Sequence, residues 1–151
     1  MAQIRELTAN RMKVKIYENR TQMGDEAAYE VSKKIEELLT DQQFVNIIFA
    51  AAPSQNEFLS ALSKRKNVDW SKVNVFHMDE YVGLPQDAPQ GFGNFLKKAI
   101  FSKVPFRTVH YLRGNAPDLP AECARYAAFR FMMVPGHGHA GGLRWPPAPS
   151  P

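Results

Sequence analysis

Hydrophobic and polar residues are arranged in three different ways along the first third of the chain, and each predicts a different element. Residues 12–17 read MKVKIY, where apolar and charged side chains alternate as in a half-buried strand near a sheet edge. In residues 21–41 apolar side chains recur every three or four positions, which predicts an amphipathic helix. Its apolar stripe consists of Met23, Ala27, Val31, Ile35 and Leu38. Residues 44–52, FVNIIFAAA, are nearly all apolar, which is typical of an interior parallel strand buried on both faces.

Strands and helices continue to alternate along the rest of the chain. Helices are predicted for residues 55–64, 92–102 and 121–129, and strands for residues 73–78 and 109–112. Ser54 followed by Glu57 predicts a capping box for the first of these helices, and Asp118 is expected to cap the last. Alternating strands and helices imply right-handed crossovers. We therefore predict an α/β fold with a mostly parallel, Rossmann-like sheet, helices on both faces, and a C-terminal side that is incomplete.

The composition changes abruptly near residue 130. Residues 130–151 contain no Asp, Glu or Lys but hold 5 of the 11 prolines and 4 of the 9 glycines. Such a segment buries too little apolar surface to offset the entropy of ordering it, which predicts a disordered tail. We expect an N-terminal extension (1–11), a partial α/β domain (12–129) and this tail. The tail offers no third ligand beside His137 and His139, so no metal site is predicted.

Charge and cysteine content narrow the possible functions. All 15 acidic residues and 17 of the 19 Lys and Arg lie within residues 1–129, a net charge there of 17 − 15 = +2. The basic residues are scattered apart from Lys64-Arg65-Lys66, so nucleic acid is not an expected partner. No apolar stretch approaches the roughly 18 residues of a membrane span, and the N-terminus lacks the apolar core of a signal peptide. With Cys123 as the single cysteine, these features predict a cytoplasmic protein without a membrane partner.

Two strand ends carry candidate chemistry, because ligands gather at the carboxyl ends of strands in open α/β sheets. The first end is the sequence AAAPSQ at residues 50–55. Its small side chains let a ligand approach the backbone, and the following helix N-terminus favours an anion such as phosphate. Ser54 either caps this helix or donates its hydroxyl to that phosphate.

The second end is the run HMDEY at residues 77–81. Neighbours on an extended chain point to opposite sides, so Asp79 and Glu80 cannot both face one substrate atom. One should face a pocket and the other should make a structural contact. A half-buried carboxylate there serves as a general base if its pKa is raised; the alternative is a loop-start Asp that makes turn hydrogen bonds. His77 is predicted to be a hydrogen-bonded core or near-surface histidine rather than a catalytic one.

Together these strand ends resemble the glucosamine-6-phosphate deaminase and isomerase family, which shares its fold with 6-phosphogluconolactonases. The resemblance depends on the run MDEYVGLP at residues 78–85, with support from GNAPD at residues 114–118 and AEC at residues 121–123. It covers about residues 12–129. Members of the family convert glucosamine 6-phosphate to fructose 6-phosphate and ammonia.

The resemblance implies roles for four residues. Asp79 would move a proton between C1 and C2 of the ring-opened sugar, which needs a base within hydrogen-bond reach. Ala52, Ser54 and Gln55 would take the place of the family's phosphate-binding turn, in which Ala52 and Pro53 replace the usual glycines. The expected small-molecule partner is a sugar phosphate, and no cofactor or metal is expected.

The chain departs from the family after residue 129. The Gly-rich motif whose His and acidic residues open the sugar ring is absent, and neither His137 nor His139 takes over that role. We therefore expect the N-terminal half of an enzyme with impaired turnover. The alternatives are a 6-phosphogluconolactonase-like hydrolase and a non-catalytic sugar-phosphate-binding fragment. An incomplete sheet also exposes a strand edge, which predicts association into homo-oligomers or poor solubility.

Overall fold

The computed structural model describes residues 3–132. The strands are β1 (Gln3–Ala9), β2 (Met12–Tyr17), β3 (Val45–Phe49), β4 (Val73–His77) and β5 (Thr108–His110). The helices are α1 (Arg20–Asp41), α2 (Asn56–Leu62), α3 (Phe92–Leu96) and α4 (Leu119–Met132). Short 3-10 turns, Pro53–Gln55 and Trp70–Lys72, precede α2 and β4, and a π-helical turn, Lys97–Phe101, continues α3. None of the helices described is long and apolar enough to cross a bilayer.

The first two strands form an antiparallel hairpin of their own. Asn10 in its turn has a φ of 56°, a left-handed conformation that Asn tolerates better than most residues. The sequence analysis placed residues 12–17 in the main sheet, and this prediction is wrong. Residues 3–9 also form a strand, and it takes up the ladder hydrogen bonds of β2.

The remaining three strands form a parallel sheet in the order β3-β4-β5, which confirms the predicted α/β class. All five residues of the central strand β4 are buried. The predicted interior position of β3 is wrong, because β3 pairs only with β4 in the described part of the chain and Ile48 is 45% exposed. Helix α4 lies over β4 and β5 but leaves this residue uncovered.

Helices cover both faces of the parallel sheet, as predicted. On one face, α1, α2 and the π-helical turn enclose the main core, which includes Ile35, Phe49, Leu59, Leu62, Val73, Val75, Leu96 and Ile100. On the other face, α4 packs through aromatic rings. The centroids of Phe76 and Tyr126 are 6.0 Å apart, and those of His110 and Phe129 are 4.7 Å apart.

Helix α1 buries Ile35 as predicted, but the first three buried positions are each displaced by one residue from the predicted stripe. Its buried residues are Gly24, Ala28, Ser32 and Ile35, whereas Met23 is 48% exposed. The cause is the close crossing of α1 and α2. A Cβ atom at position 24 would lie 2.7 Å from Cβ of Glu57, so only glycine fits where a hydrophobicity pattern expects a large side chain.

Two predicted helix caps have different outcomes. No side chain caps α2 or the turn before it, so the predicted capping box of Ser54 and Glu57 is wrong. Asp118 does cap α4, with its Oδ1 accepting from the Ala121 N–H at 2.9 Å. Helix α4 continues three residues beyond its predicted end. The predicted disordered tail, with His137 and His139, lies outside the described residues from position 133 onward.

Candidate active site at the carboxyl edge of the sheet

Three connections meet at the carboxyl edge of the parallel sheet: residues 50–55 after β3, residues 78–91 after β4, and residues 111–118 after β5. The ladder between β3 and β4 extends one residue past β4, because the Met78 N–H donates to the Phe49 carbonyl at 2.9 Å. Asp79 therefore enters its loop directly beside the connection that contains Ala52. Sequence-predicted residues from two different strand ends thus lie at one edge.

The carboxylate of Asp79 is exposed to solvent. The sequence predicts a half-buried base at this strand end, and the exposed position of Asp79 differs from that prediction. Among residues 3–132, no three His, Cys, Asp or Glu side chains are placed to hold a metal ion. The geometry at this edge therefore offers an accessible carboxylate beside a tight turn.

That turn is held from outside by Arg20. The Arg20 guanidinium donates to the Pro53 carbonyl at 3.2 Å and to the Glu57 carboxylate at 2.8 Å. Within the turn, the Gln55 N–H donates to the Ala52 carbonyl at 2.9 Å. The exposed Ser54 hydroxyl contacts no hydrogen-bond partner among the residues described, so it is available to a ligand. Sequence reasoning missed Arg20, whose partners lie 33 and 37 positions away.

Glu80, next to Asp79, has a structural role, because it holds the loop after β4 by hydrogen bonds. Its carboxylate accepts the backbone N–H groups of Tyr81 at 3.0 Å and of Phe92 and Gly93 at 2.9 Å. Burial favours the protonated form, but these three donors outweigh it and lower the pKa of Glu80. The structural contact predicted for one of the two neighbouring carboxylates is present, but the predicted division of roles is wrong, because Glu80 makes this contact and also lines a cavity that Asp79 does not line. This contact closes the loop after β4 onto the start of α3.

His77 is a core residue, as predicted. Its side chain is 1% exposed, and Nδ1 accepts the Leu112 N–H at 3.1 Å. Burial lowers the pKa of the imidazole, so the ring is neutral at pH 7 and carries its proton on Nε2. Nε2 lies 3.6 Å from Oε2 of Glu80, too far for a hydrogen bond, and it has no partner within the described residues.

The loops after β4 and β5 are packed tightly together. The Gly83 N–H donates to the Gly114 carbonyl at 2.8 Å, and Gly83 has a φ of 82°. A Cβ atom at position 114 would lie 1.9 Å from the Tyr81 carbonyl oxygen, so the approach requires glycine. The runs MDEYVGLP and GNAPD are separated by 28 intervening residues in the chain and are in direct contact here.

A cavity of about 320 Å³ lies on the β4–β5 side of the edge. Polar residues of its lining include His77, Glu80, Lys97, Tyr111 and Arg113. Asp79 and the connection after β3 do not line it. The structure therefore separates the sequence-predicted residues, on the β3–β4 side, from a cavity that sequence reasoning missed. A signal was available, since His77 and Glu80 are three positions apart at a strand end.

An open parallel sheet with polar residues at its carboxyl edge is the arrangement in which α/β proteins commonly bind small ligands. Residues 18–134 match the family of glucosamine-6-phosphate isomerases and 6-phosphogluconolactonases. The match covers more than half of the chain, and the chain belongs to this family, which confirms the predicted relationship.

Two deaminases illustrate the sequence similarity. The glucosamine-6-phosphate deaminase of Phocaeicola vulgatus is 46% identical over 70 residues, which are 45% of this chain and 27% of that protein. The glucosamine-6-phosphate deaminase of Yersinia enterocolitica is 36% identical over 114 residues, 72% of this chain and 43% of that protein. The chain thus spans less than half the length of these curated relatives.

Solved structures show the same fold. A monomeric glucosamine-6-phosphate deaminase superposes with a TM-score of 0.65 at 21% identity, covering 77% of this chain and 48% of that one. The 6-phosphogluconolactonase of Thermotoga maritima superposes with a TM-score of 0.66 at 20% identity, covering 74% and 50%. At these identities the superpositions establish the architecture alone, and both activities occur on it.

Proposed function

We propose that the chain supplies the proton-transfer side of a glucosamine-6-phosphate deaminase, with Asp79 as the catalytic acid–base residue. The observation that carries the proposal is the position of Asp79, directly after the central buried strand and beside the connection after β3. The deaminases with up to 46% identity favour this reaction over lactone hydrolysis. The proposed setting is cytoplasmic amino-sugar metabolism, without a cofactor.

The proposed chemistry needs one carboxylate that both accepts and returns a proton. In the ring-opened substrate C1 is an aldehyde and C2 carries the amine. Asp79 removes the proton from C2 and delivers it to C1, while the C2 ammonium group gives up a second proton to the C1 oxygen. The aldehyde thereby becomes a hydroxymethyl group, and the unsaturation moves to the C2–N bond as an iminium ion. Water then adds at C2 and ammonia leaves, giving the ketose phosphate. An exposed carboxylate suits this role because the substrate must reach it from solvent.

The phosphate of the substrate is proposed to bind at Ala52, Ser54 and Gln55. The Ser54 hydroxyl is unengaged by the residues described, and Ala52 leaves room for close approach to the backbone. Arg20 holds the turn through the Pro53 carbonyl. The turn is thus fixed before any ligand arrives, which reduces the entropy lost on binding.

We infer that the 151-residue chain alone turns over slowly. The stretches aligned with the two deaminases compared above are 27% and 43% of those proteins. A loss of about 100-fold in rate would correspond to about 2.7 kcal/mol of barrier. Association through the open edge of β3 into a homo-oligomer is part of the same proposal.

The test is an assay of ammonia release and fructose 6-phosphate formation from glucosamine 6-phosphate, with 6-phosphogluconolactone hydrolysis measured in parallel. The expected result is slow ammonia release that Asp79→Asn lowers by at least about 100-fold. Asp87→Asn, a matched change of an exposed acid in the same loop, should leave the rate unchanged. The amide signals of Ser54 and Gln55 should shift when the substrate is added.

Three results would contradict the proposal. Equal rates for Asp79→Asn and Asp87→Asn would remove the assigned role of Asp79. Hydrolysis of the lactone without ammonia release would assign the chain to the lactonase branch. Turnover equal to that of a full-length deaminase assayed alongside would refute the inference of slow activity.

A further inference from the structure

We propose that the cavity between the loops after β4 and β5, called here the β4–β5 cavity, is a second small-molecule site that takes a small phosphorylated polyol. It is separate from Asp79 and does not rest on the proposed function. The proposal depends on a buried donor without a partner, an acceptor beside it, and cationic residues around the same cavity.

The buried donor is Nε2 of His77. Its Nδ1 is engaged by the Leu112 N–H, so the proton of the neutral ring is on Nε2, and His77 is one of the residues that line the cavity. The Asp79 backbone lies close enough to raise the pKa of the ring slightly against the effect of burial, but no acceptor among the described residues meets hydrogen-bond geometry with Nε2. Leaving such a donor unsatisfied costs about 1–3 kcal/mol, so an oxygen atom from a bound molecule is expected at this position.

The chemistry of that oxygen is fixed by Glu80. Oε2 of Glu80 lies 3.6 Å from Nε2 of His77, so one oxygen between them can accept from the imidazole and donate to the carboxylate. A hydroxyl group does both. A phosphate oxygen at the same point would be repelled by the ionised carboxylate, whose pKa is lowered by its three backbone donors. The deep end of the β4–β5 cavity therefore selects a hydroxyl.

Positive charge elsewhere in the lining indicates that the other end of the ligand carries an anionic group. The lining contains Lys97, Arg113 and Arg125 against Glu80, a net charge of 3 − 1 = +2. Arg125 is paired with Glu122, whereas the exposed Lys97 forms no ion pair with the described residues. A phosphate near Lys97 would meet a cation that forms no ion pair with the described residues, with Arg113 close to the same cavity but also influenced by the Glu122 carboxylate.

The size and rigidity of the β4–β5 cavity agree with a small ligand. A volume of about 320 Å³ equals that of roughly ten water molecules at about 30 Å³ each. Its walls are fixed by the Glu80 contacts with Phe92 and Gly93 and by the close approach of Gly114 to Tyr81. A polyol phosphate of a few carbons therefore fits a site that exists before binding.

The test titrates the ¹⁵N-labelled chain with glycerol 3-phosphate, with glycerol and inorganic phosphate as separate probes. Glycerol 3-phosphate should cause saturable shifts at the Gly93 and Leu112 amides and bind about tenfold more tightly than either half, since a second hydrogen-bonded group contributes about 1.4 kcal/mol. Lys97→Met should weaken binding about tenfold, whereas Lys98→Met, the same change at an exposed neighbour outside the lining, should change it less than about twofold.

Two further variants separate the β4–β5 cavity from the Asp79 edge. His77→Asn keeps an acceptor for the Leu112 N–H but removes the Nε2 donor, so this variant should bind glycerol 3-phosphate more weakly. If the variant does not fold, the comparison of Lys97→Met with Lys98→Met still tests the proposal. Asp79→Asn should leave the affinity unchanged. The proposal is overturned by an absence of saturable shifts, by equal effects of Lys97→Met and Lys98→Met, by loss of binding in Asp79→Asn, or by inorganic phosphate binding as tightly as glycerol 3-phosphate.

Discussion

Replacing Glu122 by Gln should destabilise the protein by about 2 kcal/mol at pH 7 and by much less in acid. Glu122 lies in the first turn of α4, is 6% exposed, and anchors that helix to the end of β5. Its carboxylate accepts the Arg113 N–H at 2.8 Å and Nε of Arg125 at 2.6 Å, while Nη2 of Arg125 donates to the Tyr111 carbonyl at 3.0 Å.

The magnitude follows from the pKa of Glu122. The hydrogen bonds from Arg125, aided by the Arg113 N–H and opposed by burial, lower this pKa from 4.5 to about 2. A difference of about 2.5 units corresponds to an upper limit of about 3.4 kcal/mol at 1.36 kcal/mol per unit. Because the side chain of Arg125 is one third exposed, solvent screening reduces the expected contribution to about 2 kcal/mol.

The pH dependence has a definite sign. The folded-state pKa is below the unfolded-state value, so the stabilisation is complete above pH 4.5 and disappears as the pH falls toward 2. The difference in unfolding free energy between the wild type and Glu122→Gln should therefore fall to less than about half at pH 3. Urea unfolding followed by the fluorescence of the buried Trp70 measures both values.

The control is Glu37→Gln, which removes an exposed carboxylate from an i,i+3 pair with Lys34. That change should cost less than about 0.5 kcal/mol at either pH, because exposed pairs contribute little. The reasoning is refuted if Glu122→Gln is equally destabilising at pH 7 and pH 3, or if its cost at pH 7 does not exceed that of the control.

Three further changes test the packing of the fold. Gly24→Ala should lower the free energy of unfolding by about 1–3 kcal/mol, because the added Cβ atom would collide with Glu57 where α1 crosses α2. An unchanged stability in urea unfolding would show that the two helices can move apart without cost. Tyr126→Phe should lower the free energy of unfolding by about 1–2 kcal/mol, because the Tyr126 hydroxyl donates to the His77 carbonyl at 2.6 Å. The pKa of Tyr126, about 12, should appear in an absorbance titration of the wild type and not of the variant. Ile48 is an exposed apolar residue of β3, so Ile48→Lys should reduce concentration-dependent association in sedimentation velocity. A wild type that stays monomeric at all concentrations would contradict association through β3.

The elements with strong local patterns were predictable. Residues 12–17 form a strand at the predicted bounds, and α1 begins one residue before its predicted start. The apolar content of β4 and the alternation of strands with helices were enough for the α/β class. These features depend on side-chain periodicity within a single element, which the sequence displays directly.

Pairing and packing between elements were not predictable in the same way. The hairpin depends on a register between residues 3–9 and β2, and neither strand alone reveals its partner. The buried stripe of α1 depends on the crossing with α2, where Gly24 replaces the large apolar residue that a periodicity rule looks for. Both features arise from tertiary contacts that override local preference.

The neighbouring carboxylates at the end of β4 show how far sequence reasoning reaches at the site. Strand geometry predicts that Asp79 and Glu80 diverge, and they do: Asp79 is exposed, whereas Glu80 is enclosed. Which of the two is structural depends on the Phe92 and Gly93 N–H groups, 12 and 13 positions away. Since Glu80 fixes the loop on one side, Asp79 is left on a rigid support with an open face. Because Asp79 does not line the β4–β5 cavity, the proton-transfer role proposed for Asp79 and the ligand site proposed in that cavity can be tested independently.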